Sequence, residues 1–415
     1  MNSISQKTTL KNKPDECIHP VIIIGAGLNG LAAAHELQKV EIDPIILDGA
    51  GQAAAPWRKR HDGLRLNTHR LISHLPGMRI PKAYGSFPKR NDIVEYLQAY
   101  EQHFKIKVHR NIKVERITQL KEYWSLETSS GNWKTQQVII ATGHERVPLI
   151  PDWPGRDGFT GNLIHAADFG RADQYDGKSV LVVGAGNSGV DVLNHLTTEN
   201  TSALWVSVRQ GATVLPTRVL GIPLQLLAPL MQYFPTKVVD FMMSATERIF
   251  LGNLQKLGLS QHPDGVATRL IREAVAPAFD HGFVQALKAE KVNVVPEVMR
   301  FVGNEVIFKD GSSIRPDAVI CATGYRPGLE TMVGHLGILD ESGSPPQTGA
   351  VSHPNYGGLW FMGMAPQLSG VFYTARFEAK ELSRAVLKRQ KTQTITVKKP
   401  AFGYTLMRKE AASDC

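Results

Sequence analysis

Two glycine-rich turns are the stretches of this 415-residue chain best suited to chemistry. Gly25-Ala26-Gly27-Leu28-Asn29-Gly30 follows the apolar run Val21-Ile22-Ile23-Ile24 and leads into a helix-like stretch, Leu31 to Val40. Gly184-Ala185-Gly186-Asn187-Ser188-Gly189 follows Ser179-Val180-Leu181-Val182-Val183 and also opens a helical pattern. A glycine turn between a buried strand and a helix lets the backbone approach a pyrophosphate. The helix start then offers free N–H groups and a partial positive charge.

The second strand of each unit ends on a charged residue of opposite sign. Ile45-Ile46-Leu47 runs to Asp48, 23 residues after Gly25. A carboxylate there accepts from ribose hydroxyls and repels a 2′-phosphate, so the first turn is expected to hold FAD or NAD. The run Ala203 to Val208 ends at Arg209, 25 residues after Gly184. A guanidinium there favours a 2′-phosphate, so the second turn is expected to hold NADP.

The elements that must carry these turns repeat as a set. After the first turn comes a hairpin-like segment, Trp124 to Glu127 turning at Ser130-Gly131-Asn132, then Val138-Ile139-Ile140 and Ala141-Thr142-Gly143. After the second comes Val306-Ile307-Phe308 with a turn at Asp310-Gly311, then Val319-Ile320-Cys321 and Ala322-Thr323-Gly324. The small residues of each Ala-Thr-Gly permit close backbone contact with a cofactor. The expected fold class is α/β, with two doubly wound, Rossmann-like dinucleotide-binding domains, each with a β-meander. The segment after Gly324 is too short to be a domain, so it is expected to return to the first, making the second an insertion. The expected boundaries are 19–165 with 316–390 for the first domain and 166–315 for the second. Residues 1–18 and 391–415 read as tails, the latter basic.

Composition narrows the function classes. A hydrophobic fraction of 42% and a charged fraction of 20% suit a globular protein with a large core. Three cysteines, without a Cys-x-x-Cys, argue against a disulfide framework, a structural zinc site and a redox disulfide beside a flavin. No metal site is expected. The first eighteen residues are polar, and no apolar run is long enough to span a membrane, so a cytoplasmic location is the expectation. The net charge of +9 is partly local, with seven Lys or Arg and no acid from Lys388 to Lys409. That segment reads as a solvated tail before an anionic-surface contact. An apolar, proline-interrupted stretch from Val219 to Pro235, inside an insert at about 215–260, reads first as a buried helical insert. A substrate-tunnel wall and a membrane-surface contact are its alternatives.

Between the two turns, Phe159 to Phe169 reads F-x-G-x-x-x-H-x-x-x-F on Phe159, Gly161, His165 and Phe169. This resembles the identifying motif of flavin-containing monooxygenases. The related Baeyer–Villiger enzymes carry Trp-Pro at its end, where this chain has Phe169-Gly170. The resemblance covers roughly residues 20 to 390. Leu64-Arg65-Leu66, Phe87-Pro88-Lys89-Arg90, Val208-Arg209-Gln210, Leu215-Pro216, Leu251-Gly252-Asn253 and Gly358 to Gly363 are similar to the bacterial and plant YUCCA-type branch. That branch tends to have His-Leu-Pro where this chain has Asn67-Thr68-His69.

The resemblance implies FAD at the first turn and NADPH at the second. It implies a C4a-hydroperoxide of the flavin as the oxygen donor. Cofactor contacts carry over onto Trp57, Leu66, Tyr325 and Gly363, in addition to both turns and both Ala-Thr-Gly segments. Asn67 is the first candidate for a polar group at the reacting face, with Asn187 beside the flavin–nicotinamide region. His165 is expected to couple the two domains rather than to act as an acid or base. The implied partners are molecular oxygen and a small organic substrate. An amine, a thioether and a 2-oxo acid such as indole-3-pyruvate all fit. Nucleic acid is not expected, and a homodimer or a weak surface association is compatible with the chain. The competing readings are a Baeyer–Villiger enzyme, a flavin disulfide reductase and a non-catalytic dinucleotide-binding regulator.

Overall fold

The computed structural model describes residues 17–397. The expected N-terminal tail, apart from its last two residues, lies outside them, as does the basic C-terminal segment beyond 397. Residues 391–397 belong to no tail: they continue the Val371–Val397 helix. Cys17 is in a disulfide, a single link rather than a framework.

Two sheets organise the chain, the first mixed and the second parallel. In the first, the strand order is Val108–His109, Ile45–Leu47, Ile18–Ile24, Gly131–Ile140, Trp124–Thr128 and Val114–Gln119. Leu359–Phe361 returns to pair in parallel with the end of Gly131–Ile140, in the register Leu359 to Val138. The expected hairpin strand and the Val138-Ile139-Ile140 run are one ten-residue strand. Its first half pairs antiparallel with Trp124–Thr128, and most of its length pairs in parallel with Ile18–Ile24. The second sheet is wholly parallel, in the order Asn293–Val295, Ala203–Ser207, Ser179–Val183, Ala318–Cys321 and Asn162–His165. An antiparallel meander, Val298–Val302, Glu305–Phe308 and Ser313–Ile314, accompanies it.

Side chains alternate across each sheet because successive strand residues face opposite sides. Val21, Ile23 and Ile139 pack with the helices, whereas Ile22, Ile24, Val138 and Ile140 pack with the meander residues Trp124 and Leu126. The second sheet repeats this: Val180, Val182 and Ile320 face the helices, and Leu181, Val319 and Cys321 face Val306 and Phe308. Burial on both faces explains the unbroken Val/Ile runs. The Leu28–Gln38 helix is buried almost all round, between the sheet and the Val371–Val397 helix. Ala32, Ala33 and Ala34 on one helix, with Ala375 and Ala379 on the other, let the two backbones approach closely.

Two expectations are corrected. The boundaries at 165 and 316 assigned Asn162–His165 and Ala318–Cys321 to the first domain, but both strands pair within the second sheet. The chain crosses instead at Val147–Pro148 and Tyr325–Arg326, and these two crossing segments pair antiparallel with each other. The stretch from Val219 to Pro235 is not simply a buried insert. Leu224 and Met231 are buried with Val239 and Met243, and Leu368 packs against them. Leu220 is 87% exposed and Tyr233 79%, and exposure continues along the Thr236–Phe250 helix at Phe241 and Ile249. Proline interruptions and a short hairpin leave too few consecutive residues for one face to cover this apolar surface. Among the described residues no helix is long and apolar enough to cross a membrane.

Candidate functional site

The two glycine turns share one geometry. Gly25 has φ +102°, and a Cβ there would lie 2.9 Å from the Ala141 carbonyl oxygen. Gly184 has φ +105°, and a Cβ would lie 2.6 Å from the Ala322 carbonyl oxygen. Gly30 and Gly189 each press the following helix onto the turn, where a Cβ would stand 1.9 Å from the carbonyl oxygen of Gly25 or Gly184. Gly27 and Gly186 differ, because a Cβ at either would meet nothing within 4 Å. Each turn is therefore closed behind and open in front of its helix start, with Asn187 and Ser188 opening the second helix. That open face has room, beside free helix-start N–H groups, for an anionic group such as a pyrophosphate.

Each Ala-Thr-Gly lies directly behind a turn. The Ala141 N–H donates to the Ile24 carbonyl at 2.9 Å, and the Ala322 N–H to that of Val183 at 2.8 Å. The two threonines differ. Thr323 donates its hydroxyl to the Leu149 carbonyl, tying the second unit to the crossing segment. The Thr142 hydroxyl is buried without a partner. A buried unpaired hydroxyl beside open space at Gly27 and Gly143 fits a bound polar ligand such as FAD.

The two charged strand ends are placed differently: Asp48 directly follows Leu47, which pairs with Ile24, whereas Val208 holds the equivalent place after Ser207 and Arg209 stands one residue beyond it. Asp48 is half-buried, and its carboxylate accepts from the Ala26 N–H at 2.5 Å and the Ala50 N–H at 2.7 Å. Arg209 is exposed, two residues past Ala203–Ser207. Sequence reasoning missed Arg269, which lines the cleft at Ala185, Gly186 and Thr213. Its guanidinium reaches the Gly211 carbonyl and is held by Glu273 at 3.0 Å. The only sequence signal for it was a basic residue on a short helix 85 positions from Gly184.

The structure brings Asn67 and Asn187 together across the two units, with Asn67 Nδ2 donating to Asn187 Oδ1 at 3.2 Å. In the first unit, Trp57 packs on Phe372, which is buried with Tyr96. Leu66 is buried and donates its N–H to Pro88 at 2.8 Å. Gly363 folds onto the first glycine helix, where a Cβ would strike Asn29 Nδ2. Its N–H donates to Glu378 at 3.3 Å, and burial raises the Glu378 carboxyl above its ordinary value.

The Phe159–Phe169 motif is structural throughout. Gly161 leaves room for the Phe159 ring, which packs on Phe301. His165 donates from Nε2 to the Gly324 carbonyl at 3.0 Å and accepts at Nδ1 from the Ala167 N–H at 3.0 Å. That pair of bonds requires the neutral ring with its proton on Nε2. Burial lowers its pKa below the ordinary 6.5. The ring stands edge-on to Tyr325, whose hydroxyl accepts from Arg60 at 2.7 Å, and Arg60 is paired with Glu145 at 2.7 Å. Phe169 stacks on Tyr175 and meets His61 edge-on. The motif thus joins the second sheet to the crossing segment and to residues 60–61. Arg60, Glu145 and His61 carried no sequence signal, because their partners lie 85 to 265 residues away.

A lowered pKa fixes the sign of a pH effect. Below 6.5 the unfolded chain protonates His165 before the native state does, so its contribution to stability falls with pH. His165→Gln removes that titration. The gap in thermal midpoint between wild type and His165→Gln should narrow as pH is lowered from about 8 to about 5. A constant gap would count against a neutral His165.

Cys321 is a buried thiol facing the meander, its pKa pushed up to about 12 by burial, so it is unsuited to thiolate chemistry.

A family described as pyridine nucleotide-disulphide oxidoreductase matches residues 22–217. The chain is 30% identical to the probable indole-3-pyruvate monooxygenase YUCCA7 of Arabidopsis thaliana, over 91% of this chain and 90% of that protein. Among solved structures it is similar to a flavin-containing monooxygenase from Stenotrophomonas maltophilia, at 24% identity and a TM-score of 0.68, covering 89% of this chain and 98% of the other. It is also similar in fold to cyclohexanone monooxygenase, at 17% identity and a TM-score of 0.68, over 90% of this chain and 88% of the other. With two glycine turns, the intervening motif and a relative matched over nine-tenths of both chains, the protein belongs to the flavin monooxygenases, in their YUCCA-like branch.

Proposed function

We propose that the protein binds FAD at the Gly25–Gly30 turn and NADPH at the Gly184–Gly189 turn and transfers one atom of molecular oxygen to a 2-oxo acid. The observation that carries this reading is the Asn67–Asn187 hydrogen bond, which sets a residue of the first unit against the helix start of the second. On this reading the first sheet with its return strand is the FAD-binding unit, and the segment between the two crossings is the NADP-binding unit.

When bound, FAD and NADPH supply hydride transfer and oxygen activation. The chain's own groups bind, orient and exclude water. The helix-start N–H groups beside Gly27 and Gly186 hold the two pyrophosphates, and the Thr142 hydroxyl gains a partner. Asp48 exchanges part of its backbone bonding for ribose hydroxyls, while Arg209 and Arg269 receive the NADPH phosphates. Asn67 and Asn187 direct amide groups at the face where flavin and nicotinamide meet. Trp57 and Phe372 form an apolar wall behind it. The named relative from Arabidopsis thaliana is a probable indole-3-pyruvate monooxygenase, which motivates an aryl 2-oxo acid as the first substrate to test. Transfer of one oxygen with loss of carbon dioxide would give the acid one carbon shorter.

The test is turnover by the purified protein with indole-3-pyruvate, a thioether, an amine and a ketone, with either NADPH or NADH. Product from the 2-oxo acid, coupled to NADPH use, is the expected result. A colourless protein, or turnover that no compound stimulates, would overturn the reading. Arg209→Ala should lower kcat/KM for NADPH by about ten- to a hundredfold, the worth of a charge-assisted phosphate contact, and leave NADH little changed. Equal efficiency of both nucleotides with the wild type would remove the role given to Arg209.

A further inference from the structure

One face of the Asn187–Leu196 helix runs along the seam between the two units. Residues four apart share a helix face, so Asn187, Asp191 and His195 lie in line. Asn187 meets Asn67. One turn on, Asp191 Oδ2 meets His61 Nε2 at 2.7 Å. A turn further, the His195 ring lies against Gly63, where a Cβ would come within 2.6 Å of it, so only glycine lets the ring sit there. The second Asp191 oxygen faces His195 Nε2 at 3.9 Å, and the three donor atoms all lie within 4.8 Å of one another.

The geometry points to a divalent transition-metal site at this seam, with zinc the best match, formed by His61 of one unit and Asp191 and His195 of the other. Two imidazoles and a carboxylate are the donor set that zinc and its neighbours in the first row take, and three protein ligands leave a fourth position for water. Zinc bonds of about 2.0 Å put neighbouring donors in a tetrahedral shell about 3.3 Å apart. The 2.7 Å contact uses Asp191 Oδ2 and the 3.9 Å contact uses Oδ1, and one donor from each residue lies within 4.8 Å of the others, so side-chain rotations would close the shell around an ion. His61 is buried, and the Phe169 ring edge-on at 5.5 Å fixes its plane, as an outer-shell partner does. Asp191 and His195 are each about one-third exposed, which gives the ion a path from solvent. The Arg65 guanidinium also acts on His195, and its charge would make the ion exchangeable rather than permanent.

The consequence is a clamp. Metal bonds would pin the helix to residues 61–67, one turn from the Asn67–Asn187 pair. Zinc should therefore slow turnover reversibly by restraining movement between the units. The site rests on none of the cofactor or substrate assignments, so it can fail or stand independently of them.

The experiment is calorimetric titration of Zn2+ into flavin-loaded protein that has been treated with chelator and desalted. Thermal midpoints are read with and without metal. A second cluster, His262, Asp264 and Glu273, could also take an ion, so His262→Ala is the control. The expected result is binding that weakens by about tenfold or more in His195→Ala and in Asp191→Asn and is unaltered in His262→Ala. Zinc should raise the midpoint of the wild type and not that of His195→Ala. Because His195 is partly exposed and Asp191→Asn preserves size, metal-free midpoints and flavin content close to wild type will show that both variants fold. Absence of zinc binding to the wild type, or binding unchanged in both seam variants, would overturn the proposal. So would loss of binding in His262→Ala alone.

Discussion

Gly30→Ala should yield protein without flavin and with a lowered thermal midpoint, whereas Gly27→Ala should lose flavin alone. At Gly30 the new Cβ would stand 1.9 Å from the Gly25 carbonyl oxygen and 3.1 Å from its carbon. Both are backbone atoms. Gly25 has little room to retreat, because the Ala141 carbonyl oxygen lies 2.9 Å from where a Cβ on Gly25 would stand. The Leu28–Gln38 helix must therefore shift away from the turn, at a cost of about 1–3 kcal/mol, the range for overpacking a dense interior. That shift also moves the N–H groups that would hold the pyrophosphate. Gly27 is extended, with φ −75° and ψ −175°, and has open space where its Cβ would go. Alanine suits that backbone, so the fold is undisturbed, but its methyl group occupies the place of the ligand. Flavin absorbance of the purified variants and thermal melts of both will separate the cases. Retention of flavin by Gly27→Ala would remove the first turn from the cofactor site.

The second large effect is expected at Asn67. Asn67→Leu keeps the side chain's bulk, removes its amide and leaves Asn187 Oδ1 without its donor. Loss of one preorganised donor at a reacting face costs about a hundredfold or more. Product formed per NADPH consumed should fall by about that factor, while NADPH oxidation itself changes little and hydrogen peroxide accumulates. Because the two amides touch, Asn187→Leu should resemble Asn67→Leu, and the double variant should be no worse than either. Additive losses would mean that the two residues act separately. Unchanged product yield in Asn67→Leu would remove both from the reacting face.

What could be read from the sequence followed the range over which each signal acts. The glycine turns, Asp48 and Arg209 are local patterns; both turns lie between strand and helix and Asp48 meets the first of them, while Arg209 stands exposed one residue past the equivalent place. The Phe159–Phe169 motif also reads locally, and His165 bonds the Gly324 carbonyl next to the crossing segment. The boundaries failed for an instructive reason. Val138-Ile139-Ile140 pairs with the strand before the first glycine turn, and Val319-Ile320-Cys321 pairs with the strand before the second. The repeat itself therefore assigned Ala318–Cys321 to the second sheet. Ending the insertion at 315 broke that symmetry. By contrast, no local pattern marks Arg60 as the partner of Tyr325, or His61 as the partner of Asp191, 130 residues away. Only the closed fold brings such groups together. The apolar stretch after Val219 was read by composition, and composition does not report how few neighbours a proline-broken segment can find.

The antiparallel pairing of Val147–Pro148 with Tyr325–Arg326 bears on how such an architecture could arise. The second unit leaves and re-enters the first through one narrow neck, whose two sides are hydrogen-bonded neighbours about 5 Å apart. Such a unit can be gained or exchanged as a cassette, because excising it would leave two ends already close enough to join. The first sheet would keep every strand it has, including the returning Leu359–Phe361. The neck also tethers the halves at one place, so a rearrangement that breaks the Asn67–Asn187 and His61–Asp191 contacts would bend or twist about that stem and leave it intact.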